Sequence, residues 1–311
     1  MTGFLITCGG ETWQLPPLLS WEVQRTDGDP CDSAVVTFLF EPARLGELKN
    51  ATRLRLARDG ETAFFGVIDE FEASVGDGGR RVTVSARSLA ALLMDNELRA
   101  ASYRVLTLAD ALAVFALPCG ATKTETDALP AVRDFAVDTG TTCWQALCGF
   151  CRHSAGLRPR FSADGTLLIK KPSPRRWLLG DTCGFTSATY RLCRSGVISH
   201  QTVVTARGAA ETAENAPFIK LGGMARKVSM RTGNLLNAQW RTARQRVEDS
   251  MRGAVTLTVT LASGFGAQPG DTVQVALSQL GVSGDYTLRA VTDRCERGVR
   301  ECELELEGTL G

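Results

Sequence analysis

Residues Arg53 to Ser88, RLRLARDGETAFFGVIDEFEASVGDGGRRVTVSARS, read as three strands joined by two tight turns. Leu54 and Leu56 point one way and Arg53 and Arg55 the other, and Asp59-Gly60 is a strong two-residue hairpin signal. Val82, Val84 and Ala86 alternate with Arg81, Thr83, Ser85 and Arg87, as expected of a strand with one buried face. The same rhythm returns in Asp271 to Gly308, where Val273, Val275 and Leu277 take the places of Leu54 and Leu56. CERGVRECELELEG there stands for GDGGRRVTVSARS. Few residues are identical; the match is in strand length, turn position and alternation. A chain with this meander at both ends is expected to fold as two related antiparallel β-barrel units flanking something different.

The intervening sequence changes period. TLADALAVFAL opens with Thr107 and Asp110 at capping-box spacing and ends before Gly120. TTCWQALCGFCRHSAG is a second helix, capped by Thr141 or Thr142 and ended by Gly156, with Trp144, Leu147, Cys148 and Cys151 on one stripe. Asp164-Gly165 marks a hairpin, and Ser88 is a candidate cap for a short helix over LAALLMD. The fold class is therefore mainly β with an α+β insert. Its expected parts are a first β-barrel domain over 1–97, a helix-plus-hairpin insert over 98–190, and a second β-barrel domain over 191–311. The last carries one amphipathic helix over about 235–252, with Leu236, Trp240, Ala243, Val247 and Met251 as its apolar stripe. GAAETAENAPFIKLGGMARKV, residues 208–228, is polar and glycine-containing and reads as a loop.

The charge balance excludes some partners. The 311 residues sum to a net charge of +1, which gives no long-range pull toward nucleic acid or an anionic membrane. No apolar run is long enough to span a bilayer, and the N-terminus lacks the basic start and apolar core of a signal peptide, so the chain is expected to fold in a cytosol without inserting in a membrane. Aromatic residues make up only 7%, too few for the interleaved basic and aromatic groove of an oligonucleotide-binding module.

Catalytic signatures are weak. Cys143, Cys148, Cys151 and His153 are the one cluster with ligand chemistry, but all four fall within one helix or its end, whereas zinc sites hold C-x-x-C on a tight turn with a second pair downstream. Cys148, Cys151 and His153 are thus weak metal candidates, and packed free thiols, no metal and no cofactor are expected. His153 and His200 lie in separate elements, no G-x-S-x-G elbow occurs, and the glycine-rich turns lack G-K-[ST]. No catalytic residue is assigned. One charge pattern stands out: Glu301, Glu303, Glu305 and Glu307 alternate with Cys302, Leu304 and Leu306. The glutamates make either a wet outer face balanced by Arg294, Arg297 and Arg300, or a channel wall that repels DNA phosphates. Arg241, Arg244 and Arg246 lie on or near the exposed face of the last helix and suit subunit contacts.

Phe64 to Asp95, Thr139 to Pro172, Ala238 to Gly264 and Gln268 to Thr292, taken in order, resemble bacteriophage baseplate hub proteins of the Mu-like and late-control-D type, relatives of contractile-injection-system hubs. The resemblance covers most of the chain and leaves 209–233 unmatched. It implies a late structural protein of the virion tail baseplate, assembled in the host cytoplasm. Three copies with two tube domains each would form a pseudo-sixfold ring joining the hexameric tail tube to the central spike. The implied partners are the chain itself as a homotrimer, the tail tube protein, the central spike protein, the tape-measure protein and baseplate wedge proteins, with DNA only in transit. The alternatives are a tail-associated cell-wall hydrolase and the spike-base protein of a non-phage contractile system.

Overall fold

The computed structural model describes residues 1–27, 30–77, 79–205, 208, 210–223, 225–232 and 242–310. The first β unit contains β1 (Thr2–Thr7), β2 (Thr12–Gln14), β3 (Leu18–Thr26), β4 (Ser33–Leu39), β5 (Ala51–Arg58), β6 (Glu61–Gly76) and β7 (Gly79–Ser88), with α1 (Leu45–Leu48) between β4 and β5 and α2 (Ala90–Met94) after β7. The insert holds β8 (Ala101–Leu106), α3 (Leu108–Ala111), β9 (Thr124–Thr126), β10 (Val132–Val137), α4 (Cys143–Ala155), β11 (Arg160–Phe161) and β12 (Leu167–Ile169). The second β unit is built from β13 (Arg176–Gly180), β14 (Phe185–Leu192), β18 (Val255–Leu261), β19 (Thr272–Leu277), β20 (Val282–Glu296) and β21 (Val299–Glu307). Between β14 and β18 the chain makes β15 (His200–Thr205), β16 (Ala210–Glu214), α5 (Ala216–Lys220), β17 (Lys227–Thr232) and α6 (Ala243–Met251).

The two meanders found in the sequence are β5-β6-β7 and β19-β20-β21, and the likeness extends to their neighbours. Strands lie side by side in the order β1-β5-β6-β7-β4-β3 in one unit and β13-β19-β20-β21-β18-β14 in the other. Asp59-Gly60 closes β5–β6 with both residues at positive φ, and Arg297-Gly298 does the same for β20–β21. Each long middle strand also carries a bulge at its centre: β6 slips against β7 between Ile68 and Glu70, and β20 against β21 between Leu288 and Ala290. The bulged residues are ion-paired to the neighbouring strand with opposite signs, Asp69 to Arg87 at 2.7 Å and Arg289 to Glu305 at 3.3 Å. Gly66 sits where β6 leaves β5 for β7, and a Cβ there would collide with the Arg87 carbonyl.

The units share one sheet. β20 pairs with β3 from Ala290–Thr26 to Glu296–Ser20, so thirteen strands run through both. Each unit keeps its own core, around Val36, Phe38, Leu54 and Phe64 in the first and Leu257, Val273, Leu288 and Leu304 in the second. Between the cores, on the same side of the sheet, lies Asp293, flanked by Val23 of β3 and Cys302 of β21. It is buried and ion-paired to Arg25 (3.4 Å), Arg58 (3.2 Å) and Arg300 (3.1 Å). The insert has a separate core around Phe115, Phe135, Leu147 and Phe150. Thr107–Asp110 and Thr142–Gln145 form capping boxes, and Gly120 and Gly156 end their segments in the left-handed region.

Three local expectations change. Residues 176–190, expected in the insert, belong to the second β unit, because β13 pairs in parallel with β19 and β14 antiparallel with β18. The stretch expected as a loop contains β16, α5 and the start of β17, with β16 and β17 flanking β15; Asn215 accepts the Phe218 N–H at the start of α5. Ser88 does not cap α2, since its hydroxyl accepts the Asp32 N–H. The stripe residues Leu236 and Trp240 lie outside the described residues, while Ala243 and Val247 of α6 are buried.

Truncating Asp293 would leave three guanidiniums facing one another without a counter-charge, and breaking a buried charge set in this way costs about 3 kcal/mol. Asp293→Ala is expected to lower the unfolding free energy measured by urea titration by that amount, whereas Glu303→Ala on the opposite side of the sheet should stay within about 0.5 kcal/mol.

Candidate functional site: a polar sheet face, a rim and a groove

The side of the sheet away from the cores is one surface across both units, because β20 and β3 are in register. One row runs Glu301–Arg294–Glu22–Val35–Ser85–Glu70, from β21 to β6. The next runs Glu303–Thr292–Gln24–Ser33–Arg87. Hydroxyls and carboxylates dominate it, and Thr37 and Thr83 hydrogen-bond across β4 and β7 at 3.3 Å. The alternation of β21 places Glu301, Glu303, Glu305 and Glu307 here, half-buried, with Cys302, Leu304 and Leu306 in the core. Of the three arginines expected to balance them, only Arg294 does so. Glu301 pairs with Arg294 (2.9 Å), Glu305 with Arg289 (3.3 Å), and Glu307 accepts the Gly253 N–H (3.2 Å). Glu303 has no ion pair of its own among the described residues. Arg300 turns to the other side of the sheet toward Asp293, and Arg297 pairs with Glu296 at 3.8 Å.

The strand register also makes a rim. Leu19 precedes Ser20, the partner of Glu296; Leu39 is opposite Arg81, Val75 opposite Arg80, and Val299 opposite Glu296. All four apolar side chains are exposed, Val75 at 76% and Val299 at 65%. They stand at one end of the strands, at and around the tips of the β6–β7 and β20–β21 hairpins.

At the other end, a groove of about 620 Å³ opens between α4, α6 and the β3–β4 connection. Trp144, Cys148 and Arg152 face it from α4, and Gln245, Asp249 and Arg252 from α6. Asp249 bridges the walls, 3.9 Å from Arg158 and 3.6 Å from Arg252. Asp32 lies in the floor, where burial pushes its carboxyl up to about 6, partly offset by the Thr26 N–H donated to it and by the charge of Arg25.

The helix cysteines separate: Cys151 is in the insert core, whereas Cys148 is half-buried beside Trp144 in the groove wall. Burial raises the Cys143 and Cys151 thiols to about 12, so neither is a ready thiolate. His153 packs edge-on against Phe135. Among the described residues no three His, Cys, Asp or Glu side chains converge as a metal site would require. On α6, Arg244 is exposed and pairs with Glu248 at 3.0 Å, but Arg246 is half-buried with its Nε enclosed. Arg241 lies outside the described residues. Asp293 and Asp32 were missed in the sequence; the one available signal was a charged residue next to an apolar run in each case.

Solved structures with this architecture share a subject. A tail protein from Neisseria meningitidis MC58 superposes with a TM-score of 0.78 at 20% identity, over 99% of this chain and 96% of that one. The 43 kDa tail protein of prophage MuSo2 from Shewanella oneidensis gives 0.75 at 14% identity, over 98% and 97%. The fold is that of phage tail proteins. An Escherichia coli component of the type VI secretion system, described as structurally similar to the T4 tail proteins gp27 and gp5, matches more loosely, with a TM-score of 0.52 at 10% identity over 94% of this chain and 73% of that one. No protein-family model and no curated protein matches by sequence.

Asp32 gives this tail-protein fold a testable pH signature. Its folded value lies above the ordinary aspartate value of 3.8, so folding favours the protonated form. Below 3.8 both states hold the proton; between there and about 6 the unfolded chain gives it up while the folded one keeps it, so stability falls as pH rises and levels off above about 6. Asp32→Asn keeps the acceptor for Thr26 and should match the parent at pH 3.5 yet be more stable by about 2 kcal/mol at pH 8, read from urea midpoints.

Proposed function

We propose that the chain is a structural tail-hub component whose work is done by its surfaces and not by catalysis. Three copies, each with two like β units, close into a ring with six similar β units around a channel. The observation that carries this reading is the repeated strand order fused edge to edge through β20 and β3, on a fold shared with phage tail proteins. A chain with one such unit would meet a sixfold tube with only three.

The polar sheet face lines the channel in this arrangement. Its carboxylates and hydroxyls predominate, and its arginines Arg294 and Arg87 are already paired with Glu301 and with Asp69 and Asp95, so a passing polyanion meets no free cationic track and DNA moves without sticking. The rim of Leu19, Leu39, Val75 and Val299 meets an axial neighbour, the tail tube protein or the spike, and the tape-measure protein lies in the channel. Such a protein is located in the virion tail and is assembled in the host cytoplasm. The looser likeness to a type VI secretion component supports the same ring at the base of a spike in a non-phage injection system.

Native mass spectrometry at micromolar concentration, alone and with tube and spike proteins, tests the ring. A species of three times the chain mass is expected, and a strict monomer in every mixture rejects it. Val75→Asp with Val299→Asp should leave the melting temperature within about 1 °C, since both side chains are exposed, and abolish co-assembly with the axial partner. Glu303→Lys with Glu22→Lys should turn the assembled ring from one that ignores duplex DNA at 50 mM salt, an order-of-magnitude low ionic strength, into one that retains it in filter binding, with loss of retention as salt rises. Release of labelled peptidoglycan fragments by the purified chain would instead favour a hydrolase.

A further inference from the structure

The seam between the two cores holds more positive charge than its one acid neutralises. Arg25 Nη2 and Arg58 Nη1 share Asp293 Oδ2, at 3.4 and 3.2 Å, and Arg300 Nη2 takes Oδ1 at 3.1 Å. Arg25 has one further acceptor, the Gln268 side-chain oxygen at 2.9 Å, and Arg58 lies over the Trp21 ring at 5.1 Å. Among the described residues no second carboxylate comes within ion-pair distance of any of the three. The Nε groups of Arg25 and Arg300 are enclosed without an acceptor. Arginine does not lose its proton in proteins, so the site cannot relieve itself by titration as a lysine or histidine cluster does. Three guanidinium charges against one carboxylate leave two in excess, on side chains only 19%, 28% and 38% exposed. Charges held this far from water are normally paired.

We propose that this seam binds a tetrahedral oxyanion of the phosphate class beside Asp293. A dianion matches the excess charge, and its oxygens accept from guanidinium N–H groups that Asp293 leaves unused, in the forked geometry that arginine offers to phosphate. The ligand is a small free ion: the arginines come from β3, β5 and β21 and converge on Asp293 with side chains only partly exposed. Bound there, it ties Arg25 and Arg58 of the first unit to Arg300 of the second. Asp293 competes for the same donors, which gives the site a distinctive response to substitution.

Phosphate is titrated into the full chain at constant ionic strength, with chloride making up the balance, and both the melting temperature and the ³¹P line width are followed. The parent should show a saturable rise of about 3 °C and line broadening. Arg58→Gln with Arg300→Gln should lose both. Asp293→Asn removes the competing charge and should bind phosphate about tenfold more tightly, one pKa-sized step in affinity. If the double variant does not fold, Arg58→Lys, which keeps the charge and loses the fork, should bind several-fold more weakly, by the difference between bidentate and point-charge recognition. A parent that responds to phosphate no more than to chloride, or variants that respond as the parent does, would show general salt screening only and overturn the site.

Discussion

The pairing of β20 with β3 is the contact on which the other arrangements depend. Without it there would be two sheets with two exposed edges and no fixed relation between them. With it, seven residue pairs from Ala290–Thr26 to Glu296–Ser20 set the relative position of two halves that are far apart in sequence. Backbone pairing alone would tolerate a slip by two residues, since the faces would be preserved. The seam removes that freedom. Asp293 must meet arginines from three strands, and a slip by two would put it opposite Trp21 or Arg25 in place of Val23 and disturb that set of contacts. The ion cluster contributes more to register than to net stability, because burying charge offsets much of what pairing returns.

From that register follows a sheet with two unlike sides. Inward residues divide into two hydrophobic cores separated by the charged seam, while outward residues form one continuous polar surface in which hydroxyls and carboxylates predominate and the arginines Arg294 and Arg87 are ion-paired. The bulges at Asp69 and Arg289 matter here. Each shifts the phase of a long strand midway, so that β6 and β20 serve one partner in their first part and another in their second. Both bulged side chains reach an opposite charge on the adjoining strand, which holds the irregularity in place. That the signs are exchanged, acid in the first unit and base in the second, means the two units have kept geometry and not residues. This is why the duplication is plain in the sheet order and faint in the sequence.

Legibility in the sequence divided along the same line. Local rules worked: alternation in β5, β7 and β21, the Asp59-Gly60 turn, the capping box at Thr107, a threonine cap at 141 or 142, and the outward set of glutamates all follow from neighbours a few residues apart. The resemblance to tail hubs rested on those patterns and leads to the fold that the solved tail proteins share. Non-local pairing was hidden. Nothing in RWLLG says that β13 will lie parallel to β19 across an interval of more than ninety residues, so residues 176–190 read as part of the insert. Asp293 was hidden by a bulge, because alternation counted from Tyr286 and Leu288 puts position 293 outside and the slip at Arg289 brings it inside. Cys148 and Cys151 were read as one stripe, yet three residues of helix turn are enough to send one to the core and the other to a groove wall that only the arrival of α6 creates. The short strands of 210–232 have few β-branched residues and are held by pairing to β15, which sequence alone does not reveal.

The chain also sorts its additions by end. The insert follows β7 and α2, and the segment containing α6 enters β18 through Gly253, whose N–H meets Glu307 near the end of β21. Both additions therefore gather where β3 ends and β4 begins, and α4 and α6 face each other there across the groove. The opposite ends of the same strands run out into hairpin tips bearing Val75 and Val299. An exposed valine at a tip gains nothing for the folded monomer, and hydrophobic tips on a long sheet invite unwanted pairing, which soluble proteins ordinarily suppress with charge. Here Arg80, Arg81, Glu296 and Arg297 flank the valines without covering them. A sheet that concentrates its insertions at one end and leaves apolar tips at the other has one face built for elaboration and one kept clear for contact. In the ring proposed above, those two ends would be the two openings.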